Sequence, residues 1–80
     1  MTRTEIIQQL NEIFRDTLEN ADIELTDASC ADDIEEWDSL THIQLIVAVE
    51  NHFHIKFTSK EILRWANVGQ MIDSILSKLN

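Results

Sequence analysis

The chain has no proline, one glycine and one cysteine in 80 residues, and only six Lys and Arg against fifteen Asp and Glu. Without proline, and with Gly69 as its one glycine, it lacks the turn chemistry of an all-β fold and the composition of an interdomain linker. A lone Cys30 forbids an internal disulfide and fits a reducing compartment. The shortage of basic residues leaves a formal net charge of −9, and it is uneven. Between Asp16 and Ile55 there is no Lys or Arg, while eleven of the fifteen acids lie there. Such a surface repels nucleic acid and anionic membranes and steers toward basic protein partners. Taken alone, the charge is better explained by solubility. No apolar run approaches membrane-spanning length, and Met1 to Asn20 carries charges throughout with no apolar signal core, so a cytoplasmic chain is expected.

What is present is helical periodicity. Eighty residues form one small domain (1–80), able to bury about 60% of its unfolded surface, which leaves little room for an enclosed active site beside a core. Thr2 and Glu5 have capping-box spacing, and Ile6, Leu10, Ile13, Phe14 and Leu18 then fall on one face of a first helix. Asn20 to Trp37 has no sustained period; its isolated Ile23, Leu25, Ala28 and Ile34 are expected to pin a long loop to the core. A second helix, Ser39 to about His52, carries two apolar stripes. Leu45, Ile46, Val49 and Phe53 make one; Leu40, Ile43 and Val47 make the other, with Gln44 and Glu50 beside it. One stripe suffices for a helix on a small core, so the second is expected to meet a partner; full burial is the alternative. Thr58 with Glu61 caps a short third helix carrying Ile62, Trp65 and Ala66. Asn67 with Gln70 opens a last one lined by Val68, Met71, Ile72, Ile75, Leu76 and Leu79, with Lys78 well placed near its negative end. The expected fold is all-α: a small four-helix bundle of three main helices and one short one, with a long loop between the first and second.

The chemistry concentrates at Glu35-Glu36-Trp37-Asp38-Ser39-Leu40, where the acidic loop gives way to the second helix. Asp38 is a good N-cap, which puts Ser39 at the first helical position, beside the partly positive helix end. A phosphate joined to that hydroxyl would sit at an anion site, so Ser39 reads as the bearer of a phosphodiester-linked arm. No metal site is expected from His42, His52 and His54, whose spacing matches no tetrahedral set with Cys30. Cys30 lies among Asp27, Asp32 and Asp33, which disfavour a thiolate, and reads as packed or idle. A Ser39–His42–Asp38 catalytic set is disfavoured, because these positions do not supply an oriented base and oxyanion donors.

Asp38-Ser39-Leu40 in this setting resembles the acyl carrier protein family, including the peptidyl carrier domains. Helix lengths, the long first loop and the apolar spacing from Leu40 to Phe53 follow that family's layout across essentially the whole chain. The resemblance implies that Ser39 carries 4′-phosphopantetheine, taken from coenzyme A, and that Asp38 is the family's preceding acid. It implies that Leu40, Ile43, Gln44, Val47 and Glu50 form the recognition face, and that Phe57, Ile62 and Trp65 border the region where some members shelter an acyl chain; a plain core role for Trp65 is equally open. It further implies a non-catalytic, monomeric carrier of an acyl thioester. Its partners would be a phosphopantetheinyl transferase, a loading ligase or acyltransferase, and downstream synthases or tailoring enzymes. Two departures stand out. Fatty-acid-synthesis carriers usually have glutamates at the positions of Gln44 and Asn51, and commonly a glycine before the motif. Trp37 before Asp38 is closer to carriers of polyketide, nonribosomal-peptide or other specialised pathways. The alternatives are a peptidyl carrier loaded with an amino acid and, from another class, an unmodified acidic module that binds a basic partner. A free-standing hydrolase is a distant third.

Overall fold

A computed structural model describes residues 1–79. Helix α1 spans Arg3–Thr17 and α2 Ser39–Phe53; α3 is the short Ser59–Arg64 and α4 spans Val68–Leu79. The described residues include no strand; a single 3₁₀ turn, Ala31–Asp33, interrupts the long α1–α2 loop. This is the expected all-helical architecture. Helix α1 packs along α2 and α4, and α3 rests on α4.

Local chemistry starts the helices where the spacing predicts. The hydroxyl of Thr2 accepts from Glu5 N at 3.2 Å while the Glu5 carboxylate accepts from Thr2 N at 3.0 Å. Thr58 and Glu61 repeat the exchange at α3, with separations of 3.2 and 2.9 Å. At α4 the Asn67 side chain accepts from Gln70 N at 3.0 Å. Each exchange occupies helix-end amides that have no partner within the helix.

Phe14, Ile6, Leu10, Leu45, Val49, Val68, Met71, Ile72 and Ile75 are fully buried and form one core. The long loop is sewn onto it by both apolar and polar contacts. Ile23 and Leu25 are buried as expected and Ile34 half-buried. The Asn11 side chain accepts from Leu25 N at 2.7 Å, and Arg15 Nε donates to Ile23 O at 2.7 Å. Two loop carbonyls, Ser29 O and Asp27 O, accept from the first amides of α4, Val68 N at 2.8 Å and Gly69 N at 2.9 Å. That last contact explains the chain's one glycine: a Cβ on Gly69 would stand 3.0 Å from Asp27 O.

Some single residues depart from the expected pattern. Ala28 is exposed rather than a pin, because it sits in the turn that Ser29 closes, and it is Ser29 that is buried. Ile46 is only half-buried, at the border between the faces of α2. Leu79, at the end of α4, is exposed. Trp37, read from sequence only as a family marker, is a core residue, 7% exposed and edge-on to Phe14 with ring centroids 5.0 Å apart. Such an edge-to-face pair adds about 1 kcal/mol beyond the area it buries.

Helix α2 ends on His54, which adopts the left-handed conformation (φ 57°, ψ 47°) while its N–H and that of Ile55 bond to Glu50 O. A side chain with a Cβ costs about 1 kcal/mol there, a cost glycine avoids. His54→Gly is therefore expected to raise stability by about 1 kcal/mol, and Thr58→Ala, which strips the cap from α3, to lower it by about the same amount. Urea midpoints should move in opposite directions at unchanged slope. An unmoved midpoint for His54→Gly would show that the backbone at that corner carries no strain.

Candidate functional site

Asp38 is the N-cap of α2, and one carboxylate oxygen accepts from both Leu40 N and Thr41 N at 2.9 Å. Thr41 returns the contact, its hydroxyl accepting from Asp38 N at 2.8 Å and donating to Glu36 O at 2.8 Å. These backbone bonds hold the Asp38 carboxyl below its ordinary range, since each stabilises the ionised form. Ser39 follows as the first residue of the helix, and it is exposed. The anion site expected at this helix end is already filled, by Asp38 itself. A phosphate on Ser39 would find two of the nearby amides taken and a carboxylate beside it, so electrostatics turn it outward into solvent rather than into the helix end.

Helix α2 shows two faces. Leu45, Val49 and Phe53 are buried, whereas Leu40, Ile43 and Val47 are 69%, 62% and 49% exposed. The second stripe is thus uncovered in the single chain. Gln44, on this side, is exposed as well. Glu50 behaves differently: it is half-buried and its carboxylate accepts from Phe57 N at 2.8 Å, tying down the segment after α2.

Phe57, Ile62 and Trp65 are all half-buried. Phe57 and Trp65 are spent on each other, edge to face at 4.8 Å, and Lys78 lies 5.8 Å from the Phe57 ring while pairing with Glu61 at 2.8 Å. The indole of Trp65 donates to Ser74 Oγ at 2.9 Å. Trp65 also borders a cleft of about 120 Å³, shared with Cys30, Trp37, His42, Asn67 and Met71. Sequence reasoning missed this grouping. The signal available was Trp37 itself, since a buried indole N–H needs an acceptor. That acceptor is His42 Nδ1, 3.0 Å from Trp37 Nε1, with the two ring planes inclined at 23° and their centroids 5.9 Å apart.

The other sequence candidates are dispersed. His52 Nε2 meets Gln9 Oε1 at 2.6 Å, and no group of His, Cys, Asp and Glu among the described residues is arranged to hold a metal. Cys30 is half-buried with its thiol 3.5 Å from Asp33 Oδ2. A serine-hydrolase set is not assembled: Asp38 is bonded to backbone amides, and His42 Nδ1 faces Trp37. No described helix is long and apolar enough to cross a membrane.

Comparison with known proteins accords with this geometry. The family described as "Phosphopantetheine attachment site" matches residues 8–75. The chain is 33% identical over 81 residues to an acyl carrier protein of Petrotoga mobilis, a match covering 100% of this chain and 94% of that protein. The fold is similar to the solution NMR structure of holo acyl carrier protein from Geobacter metallireducens, with a TM-score of 0.87 and 41% identity over 91% of this chain and 84% of that one. The chain belongs to the acyl carrier protein family, non-catalytic carriers whose prosthetic group is 4′-phosphopantetheine.

Proposed function

We propose that Ser39 is the attachment point of the 4′-phosphopantetheine arm and that the exposed stripe of α2 is where partner enzymes grip the carrier. The observation that carries this reading is an exposed serine at the first position of α2, held there by the Asp38 cap. The residues fit the group: the hydroxyl is open to solvent, and the neighbouring carboxylate keeps a phosphodiester facing outward, so the tether leaves the protein unobstructed. When attached, the arm supplies a terminal thiol that holds an acyl group as a thioester. The chain's own residues only present the arm and the docking face, and tethering raises the local concentration of cargo at each partner.

The expected partners are a phosphopantetheinyl transferase, a loading ligase or acyltransferase, and downstream synthases or tailoring enzymes, met by a monomeric carrier in the cytoplasm. The pathway we favour is a specialised one, of polyketide or fatty-acid-like chemistry, over housekeeping fatty-acid synthesis. Support comes from α2 itself. Glu50 is its only acid, and that carboxylate is committed to Phe57 N. Asp38 is likewise committed to capping. Docking on this face therefore rests on Leu40, Ile43 and Val47 more than on charge, unlike a glutamate-rich recognition helix. The runner-up is a peptidyl carrier; intact mass after incubation with acyl-activating and amino-acid-activating ligases separates the two.

Incubation with coenzyme A and a promiscuous phosphopantetheinyl transferase is expected to add one arm to the wild type and none to Ser39→Ala, read by intact mass. Equal labelling of both would move the site elsewhere, and no labelling of either would favour the unmodified interaction module. For the docking face, Ile43→Asp or Val47→Asp should slow that modification by about tenfold, the cost of losing one apolar anchor, while circular dichroism stays helical. Glu50→Gln should change the rate far less. A variant that unfolds, or a rate governed by Glu50 instead, would take the stripe out of the interface.

A further inference from the structure

Trp37 lies two residues before Ser39, and His42 lies three after it, so a bond between their rings spans the Asp38–Ser39 corner. Indole Nε1 is a donor only. Its 3.0 Å contact with His42 Nδ1 therefore requires a lone pair on that nitrogen, which fixes the neutral imidazole with its proton on Nε2. An imidazolium has no lone pair to offer, so protonation removes the acceptor and leaves the indole N–H of a 7%-exposed tryptophan unpaired. A buried polar group left without its partner costs the full desolvation of that group, so the ring must shift.

We propose that neutral His42 is a positioning residue: it anchors the Trp37 indole and thereby holds the corner that presents Ser39, a clamp that protonation of the imidazole releases. His42 is half-buried, and the cleft it shares offers no carboxylate to stabilise a positive charge. From the loop and the 3₁₀ turn, Trp37, Cys30 and Ala31 line that cleft; from the α3–α4 connection, Trp65, Ala66 and Asn67; from α4, Met71. Of these only Cys30 is ionisable, and its thiol is directed to Asp33; no carboxylate borders the cleft. Desolvation accordingly lowers the His42 pKa below its ordinary value. The sign follows. The folded state binds the proton less readily than the unfolded state, so this contribution to stability is complete above about pH 6.5 and is withdrawn as pH falls below it.

The test has a spectroscopic arm independent of Ser39 and a kinetic arm that rests on the attachment reading. In the spectroscopic arm, NMR of the chain at about pH 7.5, one unit above an ordinary histidine pKa, should show His42 as the Nε2–H tautomer. The Trp37 indole N–H should be protected from exchange, and both signatures should begin to be lost as pH falls to about 5.5, a unit below the ordinary value. His42→Gln, which offers an amide oxygen and does not titrate, should hold the Trp37 resonance constant across that range, whereas His42→Leu should show the released position at every pH. In the kinetic arm, the modification rate of wild type divided by that of His42→Gln cancels the transferase's own pH dependence. This ratio should fall by about twofold over the same range, in step with the anchored fraction. A wild-type Nδ1–H tautomer at about pH 7.5, or a Trp37 resonance that titrates identically in His42→Gln, overturns the clamp. Failure of Ser39 to accept the arm would sink the attachment reading and leave the spectroscopic result standing.

Discussion

Burying the Trp37 indole constrains everything around it. The ring closes the core edge-on against Phe14 of α1, yet its backbone is only two residues from Ser39. Two residues of chain reach about 7 Å at most, so a side chain locked in the core holds the serine close to the protein wall. The serine nevertheless lies outside. The Asp38 cap resolves this by starting a helix between them: the chain turns at Asp38, and the exchange with Thr41 fixes the turn within one helical repeat. Loss of the tryptophan's seat would leave the cap intact as local chemistry but detach it from the core.

Helix α2 reconciles two demands that a single amphipathic stripe could not. Leu45, Val49 and Phe53 bind it to the bundle, while Leu40, Ile43 and Val47 stay uncovered. Exposed apolar side chains in a row are a liability for a free protein, and here the net charge of −9 keeps copies of the chain apart. The acids lie mainly on α1 and the loop, with Glu50 the only one within α2. On the proposed docking reading, long-range charge acts on approach and solubility, and short-range apolar contact on grip. That division suits a carrier that must let go of each enzyme, because a small apolar contact dissociates quickly while charge keeps encounters frequent.

The features legible in the sequence were those whose partners lie within one helical turn. Thr2 with Glu5, Thr58 with Glu61 and Asp38 at the N-cap are local spacings, and each formed as written. The apolar period located the core faces of α1, α2 and α4 for the same reason. What stayed hidden was the backbone's long-range traffic. Ser29 O and Asp27 O accepting from the first amides of α4 depend on carbonyls, which every residue type offers alike. The reason for Gly69 was equally hidden, because its backbone dihedrals need no glycine and only the approach of Asp27 does. The place of Ser39 at the start of α2 and the uncovered second stripe could be read from spacing. The commitment of Glu50 to Phe57 N could not, since it depends on how the chain turns after α2.

The left-handed turn at His54 links these threads. By ending α2 there, the chain brings Phe57 N back within 2.8 Å of Glu50, and from that anchor α3 is laid against α4. Phe57 and Trp65 then meet edge to face, and Lys78 and Glu61 pair across the same junction. Helix α3 is six residues long, too short to persist alone. It is held by the Thr58 cap and by these contacts at its ends, and none of its own residues is fully buried. Elements with few buried contacts open at the lowest free energy, which makes α3 the part of the bundle most readily displaced, while the core on either side, from Leu10 and Phe14 to Ile72 and Ile75, holds the carrier's shape.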